Sequence, residues 1–120
     1  MLKKKKKDKL IFVNIKNSYE AMQQNDTSNA LFRNSLYNCT VKYWRIANDK
    51  AMSATHILGC YKGKVIEVIR INSVRTVATG EYIGRKVFDG IEESDSIYLG
   101  LDLHDFFETL ANFNTKYWNL

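Results

Sequence analysis

A chain of 120 residues with 45 % hydrophobic and 12 % aromatic content fits one folded domain and excludes a compositionally disordered chain. The net charge of +5 belongs wholly to the six lysines and one aspartate of residues 1–9, which leaves twelve cations against twelve anions elsewhere. A basic face therefore cannot be argued from overall charge.

Residues 1–9 read as a disordered, solvated arm, with weak and salt-sensitive attraction to phosphate as the alternative. Residues 10–120 read as a single α+β domain. Leu10 to Ile15 is an apolar run and predicts the first strand. Ser18 predicts the cap of a short helix over Tyr19–Gln24, because its hydroxyl can accept from first-turn amides. Residues 25–29 are a polar loop, and Ala30–Tyr37 predicts a second short helix. Cys39–Ile46 alternates and predicts a strand with mixed faces. Ala47–Ser53 is a loop or one helical turn.

His56–Tyr61 and Lys64–Ile71 are β-rich runs joined by Lys62-Gly63, where glycine accepts the positive φ of a tight turn. Both faces of the second run carry apolar residues, which suits a central strand of a curled sheet or barrel. Residues 72–80 predict a further short strand and loop, and Glu81–Phe88 another strand with Gly84 as a bulge or close approach. Glu92–Ser96 is an acidic, exposed loop, and Ile97–Leu101 is short and extended. Leu103, Phe106, Phe107, Leu110 and Ala111 stand on one face of an amphipathic helix capped by Asp102. The tail from Lys116 to Leu120 is aromatic enough to dock.

Cys39 and Cys60 lack metal or CxxC spacing and read as free thiols of a reducing compartment. No apolar run reaches transmembrane length, and no signal-peptide core follows the lysines. The expectation is an intracellular, cytoplasmic protein without membrane contact. His56 and His104 have no partner at metal spacing, and Glu92, Glu93 and Asp95 read as a solvated face. No catalytic cluster, metal site or cofactor motif is legible, so the expectation is a protein that is not an enzyme.

The strand pattern resembles the PUA-like superfamily of small β-barrels, which includes ASCH and EVE domains. Residues 11–15 with Tyr19-Glu20-Ala21-Met22 resemble the opening strand and helix. Tyr43-Trp44-Arg45 and Ile57–Ile71 resemble the middle, and the segment from Trp44 to Gly100, with Gly84-Arg85 through Gly90 and Tyr98-Leu99-Gly100, also resembles a domain of uncharacterised bacterial and phage proteins. The resemblance implies a non-catalytic module that holds nucleic acid, or a modified base within it, in a cleft with an aromatic wall.

Four residues are the candidates for that cleft. Trp44 offers a flat ring, and its neighbour Tyr43 faces the opposite side of a strand, so one of the two is core. Arg45 and Arg85 offer paired planar donors to phosphate or base edges. Tyr61 precedes the hairpin turn. A reading of another class is a small phage-type anti-defence protein. It would be a homo-oligomer through its aromatic C-terminal segment, and would sequester a nucleotide signal or block a host partner.

Overall fold

The computed structural model describes residues 7–107 and 113–120. Strand β1, Leu10–Asn14, carries four successive residues that are all solvent-inaccessible: Leu10, Ile11, Phe12 and Val13. Side chains alternate across a strand, so both of its faces must be covered. Burial of each such side chain contributes roughly 1.5–3 kcal/mol. Ile11 and Val13 meet one core with three helices, α1 (Lys16–Gln23), α2 (Leu36–Val41) and α3 (Asn48–Ser53). Leu10 and Phe12 meet a second core, built with Tyr98, Leu101 and Leu103 and flanked by Phe106, Phe107, Phe113 and Trp118.

Both edges of β1 are paired as well. β2 (His56–Tyr61) runs parallel to it, with Leu10 opposite His56 and Asn14 opposite Cys60. β5 (Thr115–Trp118) runs antiparallel on the other edge, with Leu10 opposite Trp118. β3 (Lys64–Thr76) and β4 (Lys86–Glu92) complete a mixed five-stranded sheet of order β4-β3-β2-β1-β5. The edge strands β4 and β5 do not pair, so the sheet stays open and the barrel alternative is not what forms. Among the described residues no helix is long and apolar enough to cross a membrane.

The hairpin between β2 and β3 forms as read. Lys62 and Gly63 both have positive φ, 51° and 79°, as a turn matched to strand twist requires. Other elements shift for identifiable reasons. Helix α1 starts at Lys16, and Ser18 is not its cap; its Oγ donates back to the Ile15 carbonyl at 3.2 Å. The second helix is α2, not Ala30–Tyr37, because Ser35 is the true cap and accepts from Asn38 N at 3.0 Å. Cys39 to Val41 is therefore helical. Only Trp44 of the expected Cys39–Ile46 strand makes a β-bridge, to Lys86.

β3 is one strand through Thr76, bent by a bulge between Ile71 and Ser73, rather than two. Its pairing with β2 ends at Arg70, and the remainder pairs with β4 alone. That projecting half is tied to the helical layer by the Trp44–Lys86 bridge and by Ile71 and Val74, which pack against the first core. β4 begins only at Lys86, because residues 80–84 form the turn, with Gly80 and Gly84 at φ of 91° and 86°. Residues 97–100 are turns rather than extended chain. They bury Tyr98, whose hydroxyl donates to Asp8 Oδ2 at 2.7 Å. Asp8 and Lys9, at the arm's expected end, are thus held; Lys9 N also donates to Thr55 Oγ1 at 2.9 Å. Glu93 of the acidic loop pairs with both His56 and Arg70.

Asp102 caps the C-terminal segment, accepting from His104 N at 3.0 Å. The described part is a 3-10 turn, Leu103–Asp105; Leu110 and Ala111 lie outside the described residues. The aromatic tail docks as β5.

Two positions test this packing. A Cβ at Gly90 would run into the Arg70 carbonyl oxygen and lie 2.8 Å from Ile69 Cγ2. Gly90→Ala is expected to cost about 1–3 kcal/mol in a urea titration, because neither the backbone nor a core isoleucine can yield cheaply. Glu67 is buried on β3. Its Oε1 accepts from Val68 N at 3.1 Å, and its Oε2 has no partner among the described residues. Burial, and then the neighbouring Glu92 carboxyl, push its pKa from 4.5 to about 8. The folded state then keeps a proton that the unfolded chain releases above pH 4.5. The neutral side chain's contribution is full below that pH and is lost as pH rises towards 8. Glu67→Gln should therefore gain stability over the native protein progressively from about pH 5 to 8. Parallel melting curves across that range would refute this.

Candidate functional site

The helical side of the sheet carries a cleft of about 370 Å³ with three walls. The first wall is built by the chain on either side of α2. Leu31 and Arg33 precede the helix, and Lys42, Tyr43, Trp44 and Arg45 follow it. The second is the tip of the β3–β4 hairpin, which supplies Tyr82 and Arg85. The third joins the end of β1, the first turn of α1 and the start of β5, through Asn14, Asn17, Ser18, Asn114 and Thr115.

The hairpin tip is shaped by its own backbone. Gly84 N donates to the Val77 carbonyl at 2.8 Å, and Val77 N to the Arg85 carbonyl at 2.9 Å. The tip meets the first wall through aromatic stacking. The rings of Tyr43 and Tyr82 lie 4.2 Å apart between centroids and within 7° of parallel. Cations surround the pair. The Arg33 guanidinium lies 5.2 Å from the Tyr43 centroid and 5.9 Å from that of Tyr82. Lys42 Nζ stands 5.6 Å from Tyr43, and the Arg85 guanidinium 5.5 Å from Tyr82. Ring quadrupoles attract cations at these distances. Arg33 is further oriented by Nη1, which donates to the Phe32 carbonyl at 2.8 Å, while its buried Nε has no partner among the described residues.

Arg33, Lys42, Arg45 and Arg85 thus line one concavity, and among the described residues no carboxylate lines it. Among the described residues the ion pairs lie elsewhere, at Glu93 and Asp102, and none includes a cleft cation. The first turn of α1 carries no acidic residue either. Among the described residues no ion pair compensates the cleft's positive charge, an arrangement suited to anions.

Of the four candidates, the fold brings Trp44, Arg45 and Arg85 together. Trp44 is half-buried against the first core, and its Nε1 donates to the Thr40 carbonyl at 2.8 Å. Tyr43 does not face away from it into the core; with no strand at 39–46, both rings line the cleft. Arg45 is exposed. Tyr61 is not among the lining residues. Its hydroxyl donates to Glu20 Oε2 at 2.8 Å, which holds its pKa above the usual phenol range, and its ring packs on Tyr19. Arg33, Lys42, Tyr43 and Tyr82 are among the lining residues that sequence reasoning did not select.

Other reactive groups are already engaged. Burial pushes the thiols of Cys39 and Cys60 up, away from the thiolate form. His56 bridges Thr55 Oγ1 and Glu93, and His104 Nδ1 contacts Asp102 at 2.9 Å. Among the described residues no group of three His, Cys, Asp or Glu is placed to hold a metal ion.

No family model matches the chain, and no curated protein or solved structure matches it. The chemistry of the cleft is therefore read from its own residues.

The Tyr43–Tyr82 stack is one of the contacts that hold the hairpin tip against the first wall. Such a pair contributes about 0.5–1.5 kcal/mol. Tyr82→Ala should raise amide exchange at Gly84 and Arg85 by roughly 2- to 10-fold and leave the β1 amides unchanged. Unaltered exchange at the tip would show that the stack is not what fastens it.

Proposed function

We propose that the protein is a non-catalytic binding module for nucleic acid, and that the cleft takes the phosphate-bearing strand. The observation that carries this reading is a cleft lined by four cations, with no carboxylate among the described lining residues, three of the cations standing over a stacked tyrosine pair. Guanidinium groups donate in a planar fork that matches phosphate oxygens. Cation-flanked aromatic surfaces are also the common means of holding single strands without reading a duplex groove. A cleft of about 370 Å³ has room for about one nucleotide unit, far too little for a double helix.

That same size favours a second reading, in which the cleft captures a small free nucleotide, as a phage-type anti-defence protein that sequesters a signal would. Both readings use the same cations. They differ in whether a chain longer than one nucleotide adds affinity.

Fluorescence anisotropy with a labelled single-stranded oligonucleotide, repeated across salt concentrations, tests the proposal. With three or four phosphate contacts, the log–log salt slope should be about −2 to −3. Arg85→Ala and Arg33→Ala should each weaken binding about 10-fold or more, and each should flatten the slope by about 0.7. Competition by a mononucleotide as effective as the oligonucleotide would favour the second reading. Binding that survives both substitutions unchanged would remove the cleft from consideration.

A further inference from the structure

The third wall of the cleft differs in kind from the other two. It carries no charge: Asn14, Asn17, Ser18, Asn114 and Thr115 offer only neutral hydrogen-bonding groups. Three of the five are spent on the fold. Asn14 Nδ2 donates to the Phe113 carbonyl at 3.2 Å, and its Oδ1 accepts from Lys16 N at 3.1 Å. Ser18 Oγ donates to the Ile15 carbonyl, and Thr115 Oγ1 meets the Tyr117 hydroxyl at 3.3 Å. The side-chain amides of Asn17 and Asn114 have no hydrogen-bond partner among the described residues.

The backbone that carries these two residues is tied down by Asn14. Its backbone N–H donates to the Asn114 carbonyl at 3.0 Å, which fixes the start of β5. Its side chain fixes the start of α1 through Lys16 and the approach to β5 through Phe113. Asn17 and Asn114 therefore present unspent donor–acceptor pairs from two elements pinned to the end of β1.

We infer that the cleft binds its nucleotide unit in one direction, phosphate against the arginine–tyrosine walls and base edge against Asn17 and Asn114. This rests on the nucleic-acid reading of the cleft. An amide presents a donor beside an acceptor, and the edge of a nucleobase presents the complementary pair. A phosphate oxygen only accepts and a sugar hydroxyl has no donor and acceptor side by side in one plane, so neither matches the planar amide as a base edge does. Adenine is the base that asparagine pairs with in bidentate fashion, donating from N6 and accepting at N7. The ligand class is thus a phosphorylated nucleoside unit, with adenine the preferred base. Asn14 is a positioning residue.

Calorimetric titration with pyrophosphate, ribose 5-phosphate and the four ribonucleoside 5′-monophosphates tests this. The adenine nucleotide should bind about 10-fold more tightly than ribose 5-phosphate, the size of one bidentate amide–base pair. Asn17→Ala and Asn114→Ala, separately and together, should remove that margin and leave ribose 5-phosphate binding unchanged. Both side chains are exposed, so neither substitution disturbs the core. Equal affinity for ribose 5-phosphate and all four nucleotides would overturn the inference and leave a phosphate-binding cleft standing. A margin that persists in the double variant would overturn it too. No binding of any probe, and none of the oligonucleotide, would overturn the underlying reading as well.

Discussion

Everything in this molecule is arranged around a strand that has no free side. β1 is buried on both faces and hydrogen-bonded along both edges. A strand in that position needs two different covers, and the chain supplies them from opposite directions. The helices that follow β1 close one face, and the irregular segment from Tyr98 to Phe107 closes the other. The parallel partner β2 can be reached only by a crossover, which is why three short helices lie between β1 and β2. The cleft is a product of that crossover. Its chain passes over the end of β1 as α1, runs out through Arg33, returns after α2 at Lys42, and meets the projecting hairpin.

Much of this was legible where a local rule decides the outcome. The apolar run at Leu10 gives a doubly buried strand. Lys62-Gly63 gives a tight turn, and β-branched residues with apolar groups on both faces give the central strand β3. The rest was decided by competition between local signals. Ser18 and Ser35 are equally good caps in isolation, and only Ser35 has a helix placed to use it. Cys39 to Val41 alternates in sequence, yet in a two-turn helix whose last three residues are all buried, alternation carries no information. The extent of β3 depended on β4 as its long-range partner, and neither strand shows where the pairing stops.

The candidate site shows the same division. Trp44, Arg45 and Arg85 were selected from their residue types and line one cleft, although the strand expected at 39–46 does not form. Arg33 and Tyr82 sit in loops, far apart in sequence, and come together only through the tertiary fold, at the tip of a hairpin whose register shifts at Ile71. Charge was the most misleading signal. The body of the chain is neutral in sum, but the fold sorts its charges: cations gather in the cleft, while Glu93 and Asp102 take their partners elsewhere. A sum over the sequence cannot register that separation. The Lys-rich arm accounts for the whole net charge, whereas the cleft gains its character from position alone.

The pairing of Leu10 with Trp118 has a consequence for the order in which the protein is made. β1 is synthesised well before β5, which covers one of its edges. Until β5 follows, this apolar strand keeps a row of unpaired amides and carbonyls on that edge, and its second face waits for Tyr98 and Leu103. An open apolar edge is the template on which nascent chains join to one another. In this fold that edge is closed only by a segment more distant in sequence than any other partner of β1.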